Sequence, residues 1–276
     1  MAESPTEYGV IGHPVAHSRS PFIHGMFARQ RGQNMVYRPH DVPPEGLHAF
    51  VMEFWRRGGA GLNVTVPHKV GAVAMVRSMS ERAARAGAVN TLLMDADGIT
   101  GDNTDGAGLV RDLTANLKVD LAGARILMVG SGGAARGVIA PLLDQSPERV
   151  MIANRSGGRA EELARVFGAL GPVQGSSLDR LAGRGAFDIV INATSAGLAG
   201  EVPAVPATVL HATTFCYDMS YARGGTAFLA WAKQHGCSRL AQGWGMLVEQ
   251  AAESFELWRG VRPDTAAVLA ALAAGA

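Results

Sequence analysis

The chain has 276 residues, with 25 basic against 24 acidic side chains and two cysteines. At roughly 150 residues per domain this length predicts two domains, each able to bury a core without disulfide or metal staples. A formal net charge of +1 gives no electrostatic pull toward nucleic acid or anionic membrane, and Cys216 and Cys237, with no C-x-x-C between them, outline neither a disulfide framework nor a thiolate metal cage.

The first predicted strand, 8–12, begins almost at once and leaves no room for a basic and then apolar leader. No run approaches 18 uninterrupted apolar residues, so the expectation is a soluble, untargeted, cytoplasmic protein. Strands follow at 35–42, 62–66 and 91–94, with helices near 21–31, 44–57 and 67–87. A helix at about 106–119 leads into a second part with strands at 125–130, 149–154, 187–193 and 213–219. These are short apolar runs of the kind buried on both faces of a parallel sheet. At 244–259, Leu247, Ala251, Phe255 and Trp258 recur on one helical face and read as core. The alternation predicts an α/β protein with mainly parallel sheets.

Residues 125–137 read RILMVGSGGAARG, a strand, the turn Gly130-Ser131-Gly132-Gly133-Ala134-Ala135, and then a helix. This is G-x-G-x-x-A in the context that gives the motif meaning: a tight turn at Gly130, and close approach of a pyrophosphate to backbone N–H groups at a helix N-terminus beside Gly132. A ligand-free glycine turn is the bland alternative, and the next strand weighs against it. It ends Asn154-Arg155-Ser156, with Arg159 close behind, where an NAD-binding unit places a carboxylate for the ribose 2′-hydroxyl. Guanidinium groups suit a 2′-phosphate instead, so the expected cofactor is NADP(H) rather than NAD(H).

Four polar clusters sit at the ends of first-part strands: His17-Ser18-Arg19-Ser20-Pro21, Asn63 to Lys69, Ala88-Val89-Asn90-Thr91, and Gly101 to Gly106. Ligands of open α/β sheets bind beyond the carboxyl ends of strands, so these clusters form a candidate pocket. Their hydroxyls, amides, amine and carboxylate suit a small polyhydroxylated acid. Ser18 and Ser20 would take its carboxylate, and Asn90, Thr65 and Asp105 its hydroxyls. Lys69 is the natural proton carrier, and the implied reaction is hydride transfer at a carbinol carbon. Taken singly, Ser20 before Pro21 also fits an N-cap, Asn63 and Thr65 fit turn residues, Lys69 fits a solvated helix lysine, and Asp105 fits a helix cap. The scattered histidines have no metal spacing, and neither a G-x-S-x-G elbow nor a P-loop occurs, so no metal site is expected.

These segments, with Asn192-Ala193-Thr194-Ser195, Tyr217-Asp218-Met219-Ser220-Tyr221 and the run from Gly243 to Ala251, resemble the shikimate dehydrogenase family, in order and along essentially the whole chain. The resemblance implies NADPH-dependent reduction of 3-dehydroshikimate to shikimate in the biosynthesis of aromatic amino acids. It implies Lys69 and Asp105 as the catalytic pair, and Ser18, Ser20 and Tyr221 toward the substrate carboxylate. Thr65, Asn90 and Gln250 would face the ring hydroxyls. For the cofactor it implies the turn Gly130, Ser131, Gly132, Gly133 and Ala134, with Met219 and Gly243 at the nicotinamide and Asn154, Arg155, Ser156 and Arg159 at the 2′-phosphate. The implied fold is a substrate domain of residues 1–105 plus 242–276 with an inserted Rossmann-like NADP domain, 106–241, the active site lying in the cleft between them. A monomer or homodimer is expected. His13, Gly25, Gln242 and Ser156 depart from the family pattern. A quinate/shikimate or related cyclitol dehydrogenase is the nearest alternative, and a non-catalytic NADP(H)-sensing module is another.

Overall fold

The computed structural model describes residues 4–194, 196 and 200–275; Ser195 of the Asn192-to-Ser195 segment lies outside the described residues. The chain divides into two compact units, one of the residues up to Gly108 together with those from Leu247 onward, the other Leu109–Met246.

The first unit is built on β1 (Thr6–Gly12), β2 (Met35–Asp41), β3 (Gly61–Val64), β4 (Ser78–Met79), β5 (Thr91–Asp95) and β6 (Gly98–Asp102), in the order β2-β1-β3-β5-β6-β4. β1 runs parallel to β2 and β3, but β3–β5 and β5–β6 are antiparallel. β4 again runs parallel to β6, so the expectation of mainly parallel sheets holds here except at β5, which runs against both its neighbours. The helices are α1 (Ser20–Gln30), α2 (Leu47–Arg56) and α3 (Glu81–Ala86). The expected helix 67–87 is not one element. Ser78 and Met79 pair with Thr100 and Gly101, which pulls the chain into an extended edge strand. α3 starts only after Ser80, whose hydroxyl caps it by accepting from the Ala83 N–H.

The second unit carries β7 (Arg125–Val129), β8 (Arg149–Asn154), β9 (Val173–Ser177), β10 (Ile189–Asn192), β11 (Phe215–Asp218) and β12 (Arg239–Gln242). All are parallel, in the order β12-β11-β10-β7-β8-β9. Ile126 and Met128 of β7 pack with the helices α5 (Gly133–Leu143) and α6 (Gly157–Phe167), while Leu127 and Val129 pack with α7 (Ala227–Gln234). Burial on both faces is why the central strands read as continuous apolar runs. The strands that the sequence hides, β9 and β12, are the two edges, where polar side chains are tolerated.

α4 (Asp105–Arg111) continues as one π-helical turn, Asp112–Asn116, so the expected helix 106–119 is shorter than its pattern. α8 (Trp244–Arg259) and α9 (Ala266–Ala273) end the chain. From Leu247 onward α8 belongs to the first unit: Ala251 and Phe255 are fully buried, and the Trp258 Nε1–H donates to the Leu92 carbonyl of β5.

Candidate active site

In the first unit the ends of β3, β5 and β6 bring the polar clusters together. β6 leads into a turn at Asp102–Asp105 that buried side chains hold in place. The Asp102 carboxylate accepts from its neighbour's Asn103 N–H at 2.6 Å, from Ser80 Oγ at 2.5 Å, and in a fork from Arg82 Nε and Nη2 at 2.7 and 3.0 Å. Burial alone would raise this carboxyl, but the Arg82 guanidinium and the Ser80 hydroxyl hold it below the usual carboxylate range. Asn103 then accepts from the Asp105 N–H and donates to the Ala88 carbonyl.

The result is a carboxylate aimed with little freedom. One oxygen of Asp105 accepts from Lys69 Nζ at 2.5 Å and the other from Asn90 Nδ2 at 2.8 Å. The two charged side chains are only 12% and 4% exposed, which excludes the solvated-lysine reading of Lys69. Asn90 also accepts from the Thr104 N–H and the Thr91 hydroxyl, both at 2.8 Å, and its amide reaches Gln250 Oε1 at 3.4 Å. Gln250 is fixed on α8 by donating to the Leu247 carbonyl.

A second ring of contacts lies behind these residues. Asn63, 5% exposed on β3, accepts from the Tyr37 hydroxyl at 2.8 Å and donates to Ser254 Oγ at 2.9 Å and Thr91 Oγ1 at 3.2 Å. It is a hub and not the turn residue that its position also allowed. Burial pushes the Tyr37 phenol well above its ordinary range, so it stays a donor. Ser20 is the first residue of α1, and the cap position belongs to Arg19, which makes no side-chain capping bond. The N-cap reading of Ser20 therefore fails, and its buried hydroxyl lies by the Tyr37 phenol instead. Ser18 Oγ accepts from the Ser20 N–H at 3.3 Å, which places the two hydroxyl-bearing residues side by side. Thr65 follows β3 with its N–H on the Ile11 carbonyl.

The second unit presents a different surface. Gly130 leaves β7 at φ +110°, a conformation L side chains rarely adopt, and a Cβ there would lie 3.1 Å from the Ala193 backbone beyond β10. Gly132 occupies the cap position of α5 and a Cβ on it would meet nothing within 4 Å. Ser131, Gly132, Gly133 and Ala134 thus form an open cradle at a helix N-terminus, on the carboxyl side of a sheet whose order reverses direction at β7. β8 delivers Asn154, Arg155 and Ser156, with Ser156 at the cap of α6; Arg155, Ser156 and Arg159 are exposed there, and the Arg159 N–H donates to the Ser156 carbonyl. Cradle and paired guanidinium groups fit a dinucleotide bearing an extra phosphate.

Met219 and Gly243 are in direct apposition, since a Cβ on Gly243 would sit 2.3 Å from the Met219 carbonyl oxygen. Tyr221 lies on this unit, whereas the other proposed substrate residues lie on the first. Among the described residues no group of three or more His, Cys, Asp or Glu side chains is placed to hold a metal ion, and no helix is long and apolar enough to cross a membrane. Sequence reasoning placed Thr91 in a polar cluster without giving it a role, and missed Tyr37, Arg82 and Ser254 as members of the buried network. Only Ser254 carried a signal, one helical turn beyond Gln250.

Comparison with known proteins adds a family. Residues 10–92 match the family described as Shikimate dehydrogenase substrate binding domain, residues 112–199 the Shikimate / quinate 5-dehydrogenase family, and residues 243–273 the Shikimate 5'-dehydrogenase C-terminal domain. A protein from Hahella chejuensis named shikimate dehydrogenase (NADP(+)) is 53% identical over 268 residues, covering 97% of this chain and 98% of that one. The crystal structure of an Ael1 enzyme from Pseudomonas putida superposes with a TM-score of 0.88 at 42% identity, covering 97% of this chain and 98% of that one. That of shikimate 5-dehydrogenase from Thermus thermophilus, in complex with NADP(H) and shikimate, gives 0.85 at 33% identity, with 98% and 99% covered.

Proposed function

The chain belongs to the shikimate dehydrogenase family, and from that premise we propose that it interconverts 3-dehydroshikimate and shikimate with NADP(H), using Lys69 and Asp105 for proton transfer. The observation that carries the chemistry is the buried Lys69–Asp105 pair, with Asn90 on the second carboxylate oxygen. When bound, NADPH supplies the hydride. Everything else is the work of side chains.

Reduction of a ring ketone needs a proton at the oxygen as the carbon becomes tetrahedral. The Lys69 ammonium, held by Asp105, is the donor for that oxygen; in the reverse direction the lysine takes the proton back from the alcohol. Asp105 fixes the ammonium in place and, through its other oxygen, keeps the Asn90 amide oriented. Asn90, Thr65 and Gln250 supply neutral donors and acceptors matched to vicinal hydroxyls. Ser18, Ser20 and Tyr221 supply hydroxyl donors for a carboxylate. The cradle Gly130, Ser131, Gly132, Gly133 and Ala134 would hold the pyrophosphate, Asn154, Arg155, Ser156 and Arg159 the 2′-phosphate, and Met219 with Gly243 the nicotinamide.

The substrate domain is then the first unit and the NADP domain the second. Two buried, unpaired thiols, Cys216 and Cys237, suit a reducing cytoplasm, and the enzyme acts as a monomer or homodimer on a small-molecule substrate, with no nucleic acid or membrane partner. The test is steady-state oxidation of shikimate and quinate by the purified chain with NADP+ and with NAD+. The expected result is highest kcat/KM with shikimate and NADP+. Quinate oxidised as efficiently as shikimate overturns the substrate assignment, and a clear preference for NAD+ overturns the cofactor assignment.

A further inference from the structure

Tyr221 has a setting of its own in the second unit. It sits in the turn that leaves β11, and the end of β12 grips that turn on both sides of it. Before Tyr221, the Gly243 N–H donates to the Ser220 carbonyl at 3.2 Å, and the Ser220 N–H donates to Asp218 Oδ1 at 3.0 Å. After it, the Ala222 N–H donates to Gln242 Oε1 at 2.7 Å. Gly243 lies so close to the Met219 carbonyl that no side chain fits there. The ring itself lies against the indole of Trp244, centroids 4.2 Å apart and planes tilted by 38°. Trp244 is the first residue of α8, so its own backbone is held by the helix.

We propose that Trp244 and Gln242 are positioning residues that fix the Tyr221 phenol, and that they thereby set selectivity for a substrate whose carboxylate is borne by a trigonal ring carbon. The proposal rests on the reading of Tyr221 as a carboxylate ligand. Two backbone clamps set where the Tyr221 side chain starts, and the indole sets its ring plane, so the hydroxyl keeps one place and one direction. A ligand group held in advance loses little entropy on binding. The same rigidity discriminates. In shikimate the carboxylate is attached to an alkene carbon and lies near the ring plane. In quinate the corresponding carbon is tetrahedral, carries an added hydroxyl and turns the carboxylate away. A fixed phenol serves the first geometry, and a mobile one serves both. Gln242 is also a departure from the family pattern.

The experiment measures kcat and KM for shikimate, quinate and NADP+ in the wild type and in Trp244→Leu, Trp244→Phe, Gln242→Ala and Gln242→Glu, with Trp244→Leu repeated in a Tyr221→Phe background. An aromatic pair of this kind corresponds to a rise of about three- to tenfold in KM for shikimate in Trp244→Leu, with a smaller rise for quinate and KM for NADP+ within about twofold. Trp244→Phe, which keeps a ring, and Gln242→Glu, which keeps an acceptor oxygen, restore most of the loss seen in Trp244→Leu and Gln242→Ala. In the Tyr221→Phe background, Trp244→Leu adds little, because the group it positions is gone. The proposal is overturned by an unchanged KM for shikimate, by an equal rise for NADP+, or by a full effect of Trp244→Leu without the Tyr221 hydroxyl. Should Trp244→Leu fail to fold, the contrast between Gln242→Ala and Gln242→Glu decides alone. Failure of the underlying reading is separate, since a wild type that does not oxidise shikimate shows it before any variant is made.

Discussion

The two units prepare for their ligands in opposite ways. The first uses side chains: Lys69, Asp105, Asn90, Thr91, Thr104, Asn63 and Ser254 are linked to one another, and all but Lys69 are at most 5% exposed. The second uses backbone shape at Gly130 and Gly132 and guanidinium groups that stand exposed at Arg155 and Arg159. A buried network makes each member depend on its neighbours, because an unpartnered polar group away from water is costly. Exposed charges at a helix end act almost independently and give way gradually. Perturbations of the first unit should therefore be large and coupled, and those of the second moderate and separable.

The largest effect tests the centre of the buried network. Lys69→Ala should lower kcat by at least ~10²-fold with the protein still folded, as followed by NADPH consumption with 3-dehydroshikimate. A near-normal rate removes Lys69 from the mechanism.

The counterpart in the second unit is Arg155→Ala with Arg159→Ala. Loss of charge-assisted bonds to a phosphate should raise KM for NADP+ by about 10- to 100-fold and leave KM for NAD+ nearly unchanged. An equal loss with both cofactors breaks the assignment of these groups to the 2′-phosphate.

Asparagine occurs in both settings, which allows a like-for-like comparison. Asn63→Leu leaves the Tyr37 and Ser254 hydroxyls short of a partner in the core and should cost about 1–3 kcal/mol in urea unfolding. Asn154→Ala removes one 3.4 Å bond at the rim and should stay within about 0.5 kcal/mol. Equal costs at the two positions would erase the contrast between the units.

The smallest effect at neutral pH concerns His24, fully buried on α1, stacked on Tyr37 with centroids 4.2 Å apart and with neither ring nitrogen hydrogen-bonded. Burial pushes its pKa from 6.5 to about 3, so the folded chain keeps it neutral where the unfolded chain takes up a proton. Its contribution is complete above pH 6.5 and drains away as the pH falls toward about 3. His24→Phe should flatten the acid side of the melting temperature plotted against pH, and a curve parallel to wild type would show that another group governs that limb.

Legibility in the sequence followed burial and locality. The central strands of the second unit stood out because both faces are covered, and the turn from Gly130 to Ala134 because glycine, strand and helix adjoin in the chain. β9, β12 and β4 were hidden because edge strands need no apolar alternation. The helix expected over 67–87 failed because pairing of Ser78 and Met79 with β6 outweighs local propensity. Lys69, Asp105 and Asn90 were visible as polar residues clustered at strand ends. Tyr37 was not, since a tyrosine on a strand carries no mark of a distant partner, and Ser254 showed only through its place one helical turn beyond Gln250.

What the sequence by itself determined is what short stretches of chain dictate: an α/β chain of two parts, a phosphate-binding turn, guanidinium groups where an acid is usual, and four polar clusters. Tertiary structure alone decided that β5 runs against its neighbours in the first sheet, that Ser78 and Met79 pair with β6, and that Asn63 meets Ser254 across 191 residues. These depend on pairings between distant segments, and a pairing of that kind leaves its trace in the partner rather than in the residues nearby.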